Sequence, residues 1–259
     1  MPESTNPERL TVAPKQLEVP KFWIEHIPFV FFLIPRLKPT LLVELGTHSG
    51  NSFFAFCQAV KENGLTTKCY AVDIWKGDKH TGYYFENVYN DVVKHQQKNY
   101  PDNTHLLRMT FDEALSGFKD GTVDLLHIDG LHTYEGIKHD FETWLPKLSD
   151  KAVVLLHDTQ IKMKDFGVWR FWEEISKKHP SFEFYHGCGL GVLAFGKNVP
   201  DEVLRFIEDA SNSEKYSLFF EEEGKKIYKL YKKRQIRRNI QSMFTIHRII
   251  ARRLKRMFN

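Results

Sequence analysis

Val43-Glu44-Leu45-Gly46-Thr47-His48-Ser49-Gly50-Asn51-Ser52 is the stretch on which the fold turns. The apolar run Leu41–Gly46 reads as a short strand, and Asn51–Lys61 has helical character, so the segment is a strand, a glycine turn and a helix in immediate succession. Gly46 and Gly50 let the backbone come close to a ligand, and the start of the following helix offers free N–H groups. Ligands of open α/β sheets bind outside the carboxyl ends of the strands. Glu44–Ser52 is therefore a candidate binding loop, with Glu44, Gly46, Thr47, Gly50 and Ser52 as its named positions.

Outward from this stretch, strands and helices alternate. Lys68–Trp75, His105–Phe111, Val123–Gly130 and Ala152–Thr159 read as strands. Glu86–Asn99, Tyr134–Leu148 and Val168–Lys178 read as helices. The runs LLVEL, DLLHID and AVVLLHD are what strands buried on both faces look like. Alternation of this kind predicts a doubly wound, mostly parallel α/β sheet. Phe182–His186 and Gly191–Gly196, joined by the turn Gly187–Gly191, predict an antiparallel hairpin at one edge.

Three groups of residues carry chemistry. Asp73 ends the second strand, 29 residues after Glu44. A carboxylate there can accept hydrogen bonds from both ribose hydroxyls of a nucleoside. The first loop lacks G-x-G-x-x-G spacing, which argues against a dinucleotide. Asp129 ends the fourth strand and His157-Asp158 ends the fifth. Adjacent strand ends lie about 5 Å apart, so Asp129 and Asp158 can share one site. Their oxygens suit a hard divalent cation such as Mg²⁺, and His132, three residues after Asp129, can act as a general base. Trp75, His80 and Tyr83 on the loop after the second strand are candidates for lining an acceptor pocket, with His186 as a weaker one, since aromatic faces with polar tips suit sugar rings.

VELGTHSGNS, AVD, TFDEAL and the pair HIDGLHTYE and VLLHDT resemble the class I S-adenosylmethionine-dependent methyltransferases, from about Trp23 to Lys197. DIWKGDKHTGYY and the GLGVL turn resemble, more narrowly, a bacterial branch found beside glycosyltransferases in surface-polysaccharide gene clusters. The resemblance implies a Rossmann-like sheet of seven strands with the last one antiparallel. It implies S-adenosylmethionine over the first glycine turn, Asp73 on its ribose, and Phe111 and Asp112 near its adenine. Asp129 is also counted among the cofactor contacts. D-G-L-H followed by H-D is similar to metal-dependent sugar O-methyltransferases of antibiotic biosynthesis. That similarity implies metal ligands at Asp129, His157 and Asp158 and a catalytic base at His132. His157 departs from that pattern, where an acidic residue is common.

Composition and charge bound the rest. The 259 residues are 42% hydrophobic and 27% charged, an ordinary globular balance that excludes collagen-like, disordered and multi-span membrane classes. The longest early apolar stretch, Ile27–Ile34, contains Pro28 and is far short of a membrane span, and no signal-peptide layout is read at the start. Cys57, Cys69 and Cys188 have no C-x-x-C spacing and read as reduced thiols of a cytoplasmic protein.

Thirteen Lys or Arg and no Asp or Glu follow Gly224. Against +4 for the whole chain, this leaves −9 on the first 224 residues. The organisation expected is an N-terminal arm and packing helix (1–38), a methyltransferase domain (39–198) and a basic helical extension (199–259). In the extension, Ile236, Ile240, Met243, Ile250, Leu254 and Met257 fall on one helical stripe. That stripe suits an anionic membrane surface, at the inner face of the membrane, more than pairing with another helix in a homo-oligomer or a glycosyltransferase partner. Nucleic acid is disfavoured because it leaves the stripe uncovered.

The function expected is O-methyl transfer to a sugar hydroxyl of a glycan. Two alternatives are a nicotinamide-dependent oxidoreductase, disfavoured by the loop spacing and the lack of a Tyr-x-x-x-Lys pair, and an inactive binding module working through the basic tail.

Overall fold

The computed structural model describes Leu10, residues 12–78 and residues 82–257, with side chains through Phe244 except at Asp78. Seven strands form one sheet: β1 (Leu41–Leu45), β2 (Lys68–Val72), β5 (Thr104–Leu107), β6 (Val123–Ile128), β7 (Leu148–His157), β8 (Ser181–Phe184) and β9 (Leu190–Ala194). Two two-residue strands, β3 (Gly77–Asp78) and β4 (Gly82–Tyr83), make a separate small ribbon. The sheet order is β5-β2-β1-β6-β7-β9-β8. β5, β2, β1, β6 and β7 are parallel, and β9 runs antiparallel to both β7 and β8. This is a seven-stranded, mostly parallel, Rossmann-like sheet with one reversed strand, the architecture that the resemblance in sequence implies.

The helices are α1 (Ile27–Leu37), α2 (Asn51–Glu62), α3 (Glu86–Asn99), α4 (Phe111–Ala114), α5 (Tyr134–Trp144), α6 (Val168–Ile175), α7 (Asp201–Asn212) and α8 (Lys215–Met257). They divide the core into two. On one face α1, α2, α7 and the first half of α8 bury Phe29, Phe32, Phe56, Phe206 and Phe220 against the sheet. On the other, α5 and α6 bury Phe141, Trp144, Phe171 and Trp172. Successive side chains of a strand point to opposite faces, and each face is covered by apolar helices. That is why β6 is buried at every position.

Several element ends move relative to the sequence reading, two of them with a clear local cause. Pro146 lies in a 3₁₀ turn, Leu145–Lys147, after α5, and β7 begins at Leu148 rather than Ala152. Phe111 starts a short helix instead of ending a strand, because Thr110 and Glu113 form a reciprocal capping box.

The described part of the N-terminal arm is fastened rather than loose. Asn51 Nδ2 donates to the carbonyls of Glu18 (2.9 Å) and Pro20 (2.8 Å), and its Oδ1 accepts from the Glu18 N–H. Gln58 accepts from the Lys15 N–H and donates to the Ala13 carbonyl. Among the described residues no helix is long and apolar enough to cross a membrane.

Candidate active site

A cleft of about 650 Å³ opens at the carboxyl ends of β1, β2, β6 and β7. Its volume is that of a cofactor or small-molecule site. The loop after β1 forms its floor. Gly46 has φ +87°, and a Cβ there would lie 2.0 Å from the Asp129 carbonyl oxygen. The loops after β1 and β6 therefore touch at a point where only glycine fits. Gly46 donates to the Val72 carbonyl, and the Asp129 N–H donates to the Leu45 carbonyl, so the three strand ends are tied into one rim. Gly50, with φ +78°, packs on the Phe54 ring and does not line the cleft.

Asp73 stands at the end of β2 and lines the cleft, but its carboxylate is already engaged. Oδ2 accepts from the Thr47 and His48 N–H groups, both at 2.9 Å, and Oδ1 accepts from the Trp75 N–H at 2.6 Å. Each carboxylate oxygen has two lone-pair directions, so capacity for a ligand hydroxyl remains. Glu44 is fully buried beneath the loop and does not line the cleft. Its carboxylate meets His127 Nδ1 at 2.8 Å, and His127 Nε2 accepts from the Trp23 indole N–H at 3.0 Å. Burial raises the Glu44 pKa and outweighs the opposing pull of His127.

The opposite wall concentrates charge. His132 Nε2 lies 2.8 Å from Asp158 Oδ2 and 3.7 Å from Asp129 Oδ1. His157 Nδ1 lies 3.2 Å from Asp129 Oδ1 and 3.3 Å from Asp158 Oδ1, while its Nε2–H donates to the Gly187 carbonyl at 3.1 Å. Burial opposes charge on His132, yet its hydrogen bonds to Asp129 and Asp158 prevail and raise its pKa to about 9. Burial likewise opposes charge on His157, and the adjacent carboxylates again win, holding its pKa well above the ordinary imidazole value. In the same way burial works against ionised Asp158, and the charge and hydrogen bonds of His157 and His132 pull its pKa down to about 2. Asp129 is also held well below the usual carboxylate range. In this cluster the carboxylates favour the charged form of the imidazoles, and the imidazoles favour the charged form of the carboxylates.

Ligand atoms of Asp129, His132 and Asp158 all lie within 4.8 Å of one another, an arrangement that could hold a cation. The third ligand expected from sequence, His157, places its Nδ1 3.2 Å from Asp129 Oδ1 and 3.3 Å from Asp158 Oδ1.

The other expected residues separate. Thr47, Ser52 and Phe111 line the cleft with Asp73 and Asp129. Asp112 does not: it is exposed and paired with His139 at 2.9 Å. Trp75 is buried, with its indole N–H on the His48 carbonyl, and braces the loop from behind. Tyr83 is 81% exposed outside the cleft. His186 packs on His26 and Phe184 behind the cluster. His80 lies outside the described residues.

Residues unforeseen from sequence complete the walls: Phe22 and Trp23 from the arm, Tyr84 after β4, and Met163 and Phe166 after β7. Phe166 stacks on the His132 ring at 5.0 Å.

Residues 43–159 match the family model described as a methyltransferase domain. The chain is 46% identical over 193 residues to the uncharacterized protein y4gI of Sinorhizobium fredii (strain NBRC 101917 / NGR234). That alignment covers 74% of this chain but 21% of that protein, so the chain spans about a fifth of its relative's length. Among solved structures, similar folds include a provisionally assigned caffeoyl-CoA O-methyltransferase from Staphylococcus aureus. It has TM-score 0.52 and 14% identity, with 66% of this chain and 82% of that one covered. A methyltransferase from Geobacter sulfurreducens has TM-score 0.50 and 16% identity, with 65% and 77% covered. Residues 43–159 thus match a methyltransferase-domain model and the fold is similar to that of these solved structures, with the cleft at the carboxyl ends of the parallel strands.

Proposed function

We propose that the protein is an S-adenosylmethionine-dependent O-methyltransferase acting on a sugar hydroxyl. The observation that carries this reading is the meeting, in one cleft, of the β1 glycine loop with the Asp129–His132–Asp158 cluster. The loop and Asp73 would cradle the cofactor, with Phe111 against the adenine. Asp158 orients His132. Bound S-adenosylmethionine would supply the electrophilic methyl group to the acceptor oxygen and leave as the neutral thioether S-adenosylhomocysteine. The hydroxyl proton passes to His132, which must first have given up its own proton. Positioning accounts for much of the rate, with the base lowering the cost of forming the nucleophile.

Asp129 and Asp158 also suit a divalent cation such as Mg²⁺, by donor type and spacing; His132 could complete the ligand set only in place of its role as base, since a ligating nitrogen cannot take a proton. Such an ion would supply Lewis acidity toward the acceptor oxygen. The sugar acceptor is supported by the rings of Trp23, Tyr84 and Phe166 around the cleft, since flat apolar faces with polar edges stack on sugar rings. The loop spacing and the charged cluster give no comparable support to hydride transfer.

Methyl-labelled cofactor offered with nucleotide sugars, oligosaccharides and catechols tests the reading. Label on a sugar oxygen, with stoichiometric S-adenosylhomocysteine, is expected. Label on catechol alone would exclude the sugar acceptor, and absence of S-adenosylhomocysteine with every class would count against transfer altogether.

A further inference from the structure

Helix α8 changes its employment along its length. Its first half packs on the body through Tyr216, Phe220, Ile227 and Tyr231, all buried. Further along, Arg234 donates to the Lys15 carbonyl, and Arg238 forms a two-pronged ion pair with Glu18, one contact at 2.6 Å. With about 100° of rotation per residue, all six positions fall on one face of the helix. Ile236, Ile240, Met243 and Phe244 are 48–68% exposed, and by the same count they lie roughly half a turn round the helix. The outward stripe therefore does not continue the packed face; it points away from the body. Just upstream on the same outward side stand exposed Lys229, Lys232 and Lys233, with Arg237 at the edge of the stripe. The side chains of Ile250, Leu254 and Met257, which extend the stripe in sequence, lie outside the described residues.

We propose that this outward face docks the protein on an anionic lipid bilayer surface. The lysines and Arg237 meet the headgroup phosphates while Ile236, Ile240, Met243 and Phe244 enter the interface. Charge complementarity selects this occupant: 13 basic residues and no acidic one follow Gly224. A second copy would bring two basic faces together with no acid to separate them, and like charges across a helix pair are unfavourable. Nucleic acid would take the charge but leave four apolar side chains facing water or phosphate. Of these three, a bilayer surface takes both the charge and the apolar stripe.

The docking face also bears on the cleft. The opposite side of the same helix holds Lys15 and Glu18 of the arm, and Lys21 Nζ donates to the Tyr228 hydroxyl at 2.8 Å. Pro20, Phe22 and Trp23 of that arm line the cleft. A bilayer holding α8 would thus hold the cleft at a set height and angle, whatever reaction occurs there.

Vesicle flotation of the full chain decides the matter. Binding is expected to phosphatidylcholine vesicles containing about one-third phosphatidylglycerol and not to phosphatidylcholine alone, weakening more than tenfold at high salt. Ile240→Asp with Phe244→Asp should lower binding more than tenfold, as should Lys229→Glu with Lys232→Glu and Lys233→Glu. All five side chains are exposed, so helix content and thermal midpoint should stay unchanged. Absence of flotation with the anionic vesicles at low salt would overturn the proposal, as would flotation indifferent to both variants. A concentration-dependent dimer abolished by Ile240→Asp with Phe244→Asp, without vesicle binding, would assign the stripe to a second copy. Duplex binding unaffected by the apolar variant, without vesicle binding, would assign the charge to nucleic acid.

Discussion

The two sides of the cleft handle ionisable groups in opposite ways. On the β1/β2 side each acid is committed to the protein itself. Asp73 accepts three backbone N–H groups, and Glu44 is bonded to His127, which Trp23 holds in turn. On the β6/β7 side four ionisable side chains face one another across 2.8–3.7 Å, and the charge of each depends on the rest. The first arrangement builds a rigid cradle of backbone donors. The second keeps protons and carboxylates ready for exchange at the cleft wall. Binding and chemistry are therefore separable by mutation.

The largest expected effect falls on the charged side. His132→Ala should reduce methyl transfer by about 10²- to 10⁴-fold, the usual worth of a positioned general base. Cofactor affinity, measured by calorimetry, should remain within a few-fold. A parallel loss of both would show that the two sides are not separable.

Gly46→Ala attacks the seam between the sides. An L-residue at φ +87° is strained, and the added Cβ would stand 2.0 Å from the Asp129 carbonyl oxygen. We expect a loss of about 3 kcal/mol or more in chemical denaturation, together with loss of cofactor binding. A variant with unchanged stability would mean that the two loops can part freely.

Asp73→Ala strips the loop of its acceptor and leaves the N–H groups of Thr47, His48 and Trp75 without it. The cost should be about 2 kcal/mol in the absence of any ligand, in addition to weaker cofactor binding. Unchanged stability with lost binding would assign Asp73 to the cofactor alone.

These residues show how far the sequence could be read. The glycine loop and the acids at three strand ends were legible because an apolar strand running into glycine or aspartate is a local pattern, and sheet topology brings such ends together. His132 was legible from its distance to Asp129. The aromatic wall was not. Phe22 and Trp23 reach the cleft because Asn51 captures the Glu18 and Pro20 carbonyls across more than 30 residues of chain, and no local periodicity announces such a contact. In sequence Trp75 and Tyr83 are equivalent loop aromatics. Backbone at φ +50° turns Trp75 inward to the His48 carbonyl, while Tyr83 faces solvent on a two-residue strand. The division of α8 into packed and outward halves was likewise hidden, because both halves have helical apolar spacing and only the body shows which face is covered.

The remaining expected effect is a pH dependence. His132 has a folded-state pKa of about 9, above its ordinary 6.5. Its contribution to stability is therefore complete below pH 6.5 and disappears as pH rises through 9. The thermal midpoint of the free protein should fall by several degrees over that window, and His132→Gln should make the decline shallower, the remainder coming from His157, which the same carboxylates raise. Asp158, lowered to about 2, gives the opposite dependence in acid: its contribution is present above pH 3.8 and is lost as pH falls through 2. Since a base acts only once deprotonated, kcat/KM should rise with pH toward 9 as stability declines.

Calorimetric titration of the full chain with S-adenosylmethionine and S-adenosylhomocysteine tests the central claim most directly. The account predicts one-to-one binding of both, weakened by Asp73→Ala and nearly unchanged by His132→Ala. No heat and no thermal stabilisation from either ligand, with the protein shown to be folded, would contradict it.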